Sequence, residues 1–295
     1  MNQRIVVVGD VVLDVVVRPL SDVAPTSDTP ARIRVGRGGS GANLAVALRA
    51  AAAARFQVSF AGVGGDDAAV GIVREDLDGA GVRTHLATVP GATGVVVSLV
   101  APSGERAMMT ERGVNSQLVF GHVATLFDDS LAHMHVSGYT ALDDHTRSLV
   151  PRLIRAASDA GATTSVDVCS VGPLRLVGTE VFHEAVREAT MLFANEEEAL
   201  LLSGEDDVDG ALATLARDWP EVVVTRGARG ALARRRDEVV AASARGGNVV
   251  DTTGAGDAAT GTYLAHRLNG VDLATALEHA MDAAARVVRA LGSRG

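Results

Sequence analysis

Residues Asp251–Asp257 read DTTGAGD and run straight into AATGTYLAHRL (Ala258–Leu268), whose apolar residues recur at helical spacing. Gly254 therefore falls at a helix start, and Gly254, Ala255 and Gly256 leave the amides of the first turn bare. Unshielded N–H groups at the positive end of a helix dipole attract anions. Asp257 lies beside that hole, and a carboxylate next to a bound phosphate is placed to accept a proton from an attacking hydroxyl. The combination suits phosphoryl transfer, in which a protein mainly positions the reactants and spreads developing charge. A plainer reading, a glycine-rich turn with an acidic first-turn residue, is equally open from this stretch alone.

Composition narrows the choices. The chain has 295 residues, 47% of them hydrophobic, with no apolar run of membrane-spanning length and no N-terminus of signal type, so a soluble cytoplasmic protein without membrane partners is expected. A net charge of −9 argues against broad nucleic-acid surfaces. Cys169 is the single cysteine, which excludes an internal disulfide and a cysteine-rich metal site. All 27 basic residues are arginine. A chain without lysine has no Walker A lysine, no protein-kinase strand lysine and no Schiff-base amine, so any nucleotide phosphate must be held by backbone amides, arginine or metal.

Arg4–Gly9 (RIVVVG) is an apolar run of buried-strand length. Val11–Val17 and Ala31–Val35 read as further strands, and a glycine-rich turn, GRGGSGAN (Gly36–Asn43), opens a helix from about Ala42 to Ala53. Beyond it, strand runs at 58–63, 134–137, 163–168, 191–194 and 222–225 alternate with helices at 68–77, 144–160, 197–203 and 208–217 and two more at the end. Such alternation predicts a doubly wound, mainly parallel sheet flanked by helices. Residues 11–35 and 94–112, the latter with Pro102 to Gly104 at a turn, are strands without helices between them, which predicts a small antiparallel lid. The expectation is one α/β domain over residues 1–295.

Two stretches, GRGGSGANLAVAL (Gly36–Leu48) and VDTTGAGDAATGTYLA (Val250–Ala265), resemble in order and spacing the paired signatures of the ribokinase-like (PfkB) carbohydrate kinase family. The resemblance implies transfer of the ATP γ-phosphoryl group to a hydroxyl of a small carbohydrate or sugar acid, with Mg²⁺. It assigns Asp257 as the base, Gly254, Ala255 and Gly256 as the anion hole, and Asp14, Gly38, Gly39, Gly41 and Asn43 as contacts to sugar hydroxyls. NEEE at Asn195–Glu198 matches the family's N-x-x-E, which organises metal and phosphate, with Glu198 acting on Mg²⁺ indirectly. Thr225 and Gly227 match a strand end lining the ATP. Asp251 and Thr253 match a monovalent-cation site, so K⁺ is a candidate cofactor, although the loop that completes such sites would continue past Gly295. Homodimers through lid strands also follow from the resemblance.

Plainer readings stand beside these. Asn195 and Glu198 have capping-box spacing, Asn43 is a common helix cap and Asp14 can be a solvent-facing strand residue. The family's ribokinases carry a lysine where this chain has Ser40, so the acceptor need not be ribose. Arg112, after a lid strand, has a planar fork suited to a carboxylate or phosphate on the acceptor, though such arginines are commonly solvated. With 3% aromatic residues a stacked base is not advertised, which leaves a nucleoside kinase as the alternative to a sugar kinase. GRGGSG also fits the GxGxxG fingerprint of an NAD(P)-dependent oxidoreductase, and a non-catalytic sugar sensor on a kinase fold is a further alternative.

Overall fold

A computed structural model describes residues 3–101, 106–246 and 252–289. Strand β1 (Gln3–Val8) shows why RIVVV is apolar without interruption. Ile5 to Val8 are fully buried, with Ile5 and Val7 in one core cluster and Val6 and Val8 in another. A strand covered on both faces has no polar side. Its parallel neighbours are β4 (Phe56–Gly64), followed outward by β5 (Arg83–Thr88), and β8 (Leu131–Val136), followed by β9 (Thr163–Asp167), β10 (Met191–Asn195) and β11 (Glu221–Thr225). β12 (Ala231–Arg235) and β13 (Glu238–Ala242) add an antiparallel hairpin that completes nine strands. The Ile5/Val7 face packs under α1 (Ser40–Ala51), α2 (Ala68–Gly79), α9 (Ala255–Leu268) and α10 (Leu273–Val287). The other face is covered by α3 (Gly138–Leu142), α4 (Val150–Asp159), α5 (Val171–Val177), α6 (Thr179–Val186), α7 (Glu196–Ser203) and α8 (Val208–Leu215). This is the doubly wound sheet expected.

The second sheet has four strands in the order β3 (Ala31–Gly38), β2 (Val12–Pro19), β6 (Gly94–Val100) and β7 (Arg106–Glu111). It is mixed, because β2 and β6 run parallel in the middle. The dinucleotide fingerprint reading fails here: GRGGSG begins within β3, an antiparallel edge strand of this small sheet, whereas that motif follows a buried parallel strand. The helix expected over 144–160 is shorter, with a 3₁₀ turn at Arg147–Leu149 before the regular α4, whose first turn holds Pro151. Strands β5, β12 and β13 and helices α3, α5 and α6 were not anticipated. Arginines at 234, 235 and 236 hide the apolar alternation of the β12–β13 hairpin, and Pro173 disguises α5, where it sits in the first turn that tolerates it. The turn at 102–105 and Asp251 lie outside the described residues. Among the described residues no helix is long and apolar enough to cross a membrane.

Two helices set the site. Gly261 in α9 lies so close to α1 that a Cβ there would stand 2.5 Å from the Leu44 carbonyl oxygen and 2.8 Å from the Leu48 nitrogen, so this contact demands glycine. The N-termini of α1 and α9 are thereby brought side by side. Farther along α9, Glu221, 2% exposed at the start of β11, accepts hydrogen bonds from Tyr263 Oη (2.7 Å) and from Arg267 Nε and Nη2 (3.0 and 3.1 Å). This ion pair anchors the far end of the helix whose first turn carries Asp257. Removing one partner of a buried pair strands the other's charge. Glu221→Ala is therefore expected to destabilise the fold by about 3–5 kcal/mol, read from urea denaturation.

Candidate active site

Strands β1, β8, β9, β10 and β11 all point their carboxyl ends to one edge of the large sheet, where open α/β sheets place ligands. In order along that edge stand Asp10, Ser137, Asp167, Asn195 and Thr225. The first turns of α1 and α9 meet above them.

Gly254 adopts the left-handed region (φ 76°) and caps α9. Its carbonyl accepts the first i→i−4 bond of that helix, from the Ala258 amide at 2.8 Å, so the Gly256 and Asp257 amides precede the helical ladder. Gly256 is exposed, and a Cβ there would meet nothing within 4 Å, so the tip is open. Ala255 and Thr253 are partly exposed in the same turn. Asp257 is held on both oxygens: Ser40 Oγ donates to Oδ1 (2.6 Å) and Asn43 Nδ2 to Oδ2 (3.3 Å). Burial lifts its pKa to about 6; the Ser40 hydrogen bond opposes the rise, and the charge of Asp167 adds to it.

Asp14, on β2, lies over Gly38, where a Cβ would stand 1.9 Å from its Oδ1, so Gly38 makes room for this carboxylate. Burial and the charge of Asp257 raise Asp14 to about 7, against the pull of Arg37. Gly39 is the N-cap of α1 with φ 86°, and Gly41 is buried where a Cβ would stand 3.3 Å from the Phe60 ring and 3.4 Å from the Gly9 Cα, so glycine lets α1 approach the end of β1. Asn43 is buried inside α1 and accepts from Arg37 Nη1 (3.3 Å) on its Oδ1, so it does not cap the helix. The glycine motif thus divides between positions beside the Asp14 and Asp257 carboxylates (Gly38, Asn43) and a position of helix packing (Gly41).

Arg112 is not a solvated loop charge. Its fork binds Asp10 in bidentate fashion (Nε–Oδ2 3.1 Å, Nη2–Oδ1 2.7 Å) and its Nη1 meets Asp143 Oδ2 at 2.7 Å, all three side chains being mostly buried. An anionic acceptor would have to compete with those carboxylates. Asp10 and Asp143 escaped sequence reading because neither sits in a glycine motif.

Asn195 and Thr225 are direct neighbours in the β10–β11 register, which unites two motifs far apart in sequence. Asn195 and Glu198 form the reciprocal capping box of α7: the Glu198 amide donates to Asn195 Oδ1 (2.9 Å) and the Asn195 amide to Glu198 Oε2 (2.8 Å). Glu198 is nevertheless buried, and burial, reinforced by Asp167 and Glu197 against the Asn195 amide, raises it to about 7. Gly227, with φ 55° and no neighbour within 4 Å of a Cβ, opens the turn after β11. Among the described residues no group of three or more acidic, histidine or cysteine side chains is arranged to hold a metal by itself. Glu198 with Asp167 beyond it suits a hydrated cation arriving with a triphosphate.

Asp167 and Ser40 stand on the Asp257 carboxylate side of the site without having been site candidates in the sequence, Ser40 Oγ lying 3.0 Å from Asp167 Oδ2 and 2.6 Å from Asp257 Oδ1. Asp167 closes the buried strand TTSVD, a position at the sheet's ligand edge that was the available signal. Burial pushes its pKa up, but His135 and the Gly138 amide hold it below the usual range.

A sequence model of the pfkB family of carbohydrate kinases matches residues 2–295. The chain is 32% identical over 285 residues to the ATP-dependent ribose-1-phosphate kinase of Halopiger xanaduensis, covering 94% of this chain and 89% of that one. It is 29% identical over 231 residues to the 1-phosphofructokinase of Haloferax volcanii, with 75% and 71% covered. Among solved structures, adenosine kinase from Sinorhizobium meliloti superposes with a TM-score of 0.89 at 24% identity over 100% of this chain and 96% of that one. A ribokinase-like chain from E. coli in complex with ATP and Mg²⁺ gives 0.86 at 22% over 99% and 94%. The chain belongs to the PfkB family of carbohydrate kinases, phosphotransferases with an alcohol acceptor. It is a sugar or nucleoside kinase, and the family implies ATP with Mg²⁺.

The raised carboxyl groups carry a stability cost at neutral pH. A carboxyl whose folded pKa lies above its unfolded value binds its proton more tightly when folded, so its burden is greatest above about 7 and lifts as pH falls towards 4. Asp14→Asn is expected to raise the melting temperature at pH 7, with the gain vanishing near pH 4, as thermal melts at both pH values would record.

Proposed function

We propose that the chain phosphorylates a hydroxyl of a small carbohydrate from ATP, with Asp257 as general base. The observation that carries this reading is the position of Asp257: held by Ser40 and Asn43 in the first turn of α9, beside the open Gly256, and facing Asp14 from the small sheet. Asp14 and Asn43 would fix the acceptor's hydroxyls, with Gly38 and Gly39 allowing close approach. Asp257 would take the proton as the hydroxyl oxygen attacks phosphorus. The amides of Gly256 and Asp257, with the helix dipole, would oppose the charge growing on the migrating group, whereas the Ala255 amide, expected in the same anion hole, donates to the Thr252 carbonyl at 3.3 Å. Asn195, Thr225 and Gly227 would line the nucleotide. Mg²⁺ neutralises charge on the triphosphate when bound, and Glu198 would hold it through water. Thr253 would contribute to any K⁺ site together with Asp251; equal turnover in sodium-only and potassium-only buffers would remove that assignment.

For the acceptor, the activity of the Halopiger relative places ribose 1-phosphate first in a panel with free pentoses, hexoses, sugar acids and nucleosides, read by ADP release. With the best acceptor, Asp257→Asn is expected to lower turnover by about two or more orders of magnitude, as for a lost general base, while ATP affinity stays within a few-fold. Wild-type kcat/KM for the acceptor should fall below about pH 6, the value at which Asp257 takes up its proton. Loss of ATP binding in step with turnover would end the general-base assignment.

The small sheet also supports the pairing of two copies. Val35, Val15, Val97 and Met109 form one cross-strand row and Ile33, Val17 and Leu99 the next on the same face, with Ile33, Val35 and Met109 at least half exposed. Light scattering is expected to report a dimer that Val35→Glu converts to a monomer with unchanged circular dichroism. A monomeric wild type would rule the pairing out.

A further inference from the structure

Ser40 Oγ stands between two carboxylates. It is 2.6 Å from Asp257 Oδ1 and 3.0 Å from Asp167 Oδ2. A hydroxyl has one proton, so it can donate to one of these oxygens at a time. Asp167 is the immobile partner. The Gly138 amide donates to its Oδ1 at 2.9 Å, and His135 Nε2 lies 3.5 Å from the same oxygen. That amide can approach because residue 138 is glycine: a Cβ would stand 2.1 Å from the Asp167 carbonyl oxygen. His135 is itself fixed, its Nδ1 2.8 Å from Ser165 Oγ, which also lies 2.8 Å from His133 Nε2. Burial keeps His133 neutral, with its pKa down at about 3. An ordered line of side chains from β8 and β9 thus ends at Ser40 and, through it, at Asp257.

We propose that Asp167 acts through Ser40 as the positioning residue of Asp257, fixing the orientation of that carboxyl group and stabilising the proton it receives. The proposal rests on the reading of Asp257 as the base. While Asp257 is ionised, Ser40 donates its proton across the shorter contact. When Asp257 Oδ1 takes the acceptor's proton, it becomes the donor, Ser40 Oγ accepts, and the Ser40 proton turns to Asp167 Oδ2. One proton leaves the acceptor hydroxyl and one arrives on Asp257; Ser40 and Asp167 end with the protons they began with. The fixed charge of Asp167 also makes Asp257 the stronger base of the pair. The environments hold Asp167 low and Asp257 high, the separation that divides roles between neighbouring carboxylates. The other groups facing Asp257 are Asp14 from β2, His135 from β8 and Tyr139 from α3; Cys169 faces Ser40, its Sγ 3.9 Å from Oγ, and Glu198 faces Asp167.

The coupling is tested without substrate by ¹³C NMR titration of the full chain labelled at aspartate Cγ, with Asp257 assigned through Asp257→Asn. Asp167→Asn removes a like charge and is expected to lower the Asp257 midpoint by about 1 pH unit or more. Ser40→Ala removes the bond to the ionised form and is expected to raise it, while Ser40→Thr, which restores a hydroxyl, keeps the wild-type value. An unchanged midpoint in either Asp167→Asn or Ser40→Ala, or shifts of the same sign in both, overturns the proposal. The acid limb of kcat/KM with Mg·ATP and the best acceptor of the panel should move with the NMR midpoint. Opposite NMR shifts with a stationary limb would support the coupling and refute Asp257 as the base.

Discussion

The contact of Gly261 with the backbone of α1 is the constraint on which the site depends. Two motifs more than two hundred residues apart in sequence become one site because their helices touch at backbone distance with their N-termini together. Ser40 and Asn43 from one helix then reach both oxygens of Asp257 on the other. A side chain at position 261 would push the helices apart, and hydrogen bonds as short as 2.6 Å would not survive the displacement. The Glu221 cluster secures the opposite end of α9, so the helix is fixed at both ends and its first turn is held accurately.

The site is built against its own electrostatics. Asp14, Asp257 and Glu198 are all raised, each by burial first and each further by the charge of another carboxylate. Such a field disfavours the empty site and favours one containing a cation carried with a triphosphate. In a chain without lysine the compensating positive groups are arginines in fixed forks, as Arg112 shows between Asp10 and Asp143. An arginine so clamped keeps its charge and its place, whereas a lysine on a flexible stem would hold neither as firmly.

Much of the architecture was legible because burial writes itself into composition. β1 needed apolar residues on both faces and has them; Gly39 and Gly38 stand where the Asp10 backbone or the Asp14 carboxylate excludes a side chain, and Gly254 takes the left-handed φ that favours glycine. What escaped reading was set by tertiary pairing. Arginines at the edge of the sheet concealed the β12–β13 hairpin, and Arg112, whose fork suggested an anionic acceptor, is occupied by Asp10 and Asp143, which no local pattern announces. Asp167 gave a positional hint as the last residue of a buried strand, but its link to Asp257 passes through Ser40, from a third segment. No spacing rule in one dimension reports such a meeting. The capping box at Asn195 and Glu198 is the converse case: the local reading and the family reading describe the same residues and are compatible.

β3 of the small sheet is joined to α1 by Gly39 alone, and Ser40 is the first residue of that helix. The edge strand, a single glycine and the hydroxyl that meets Asp257 are therefore consecutive in the chain. Through that one residue, with its left-handed φ of 86°, the direction in which β3 leaves the small sheet fixes where α1 begins and hence where Ser40 Oγ meets Asp257.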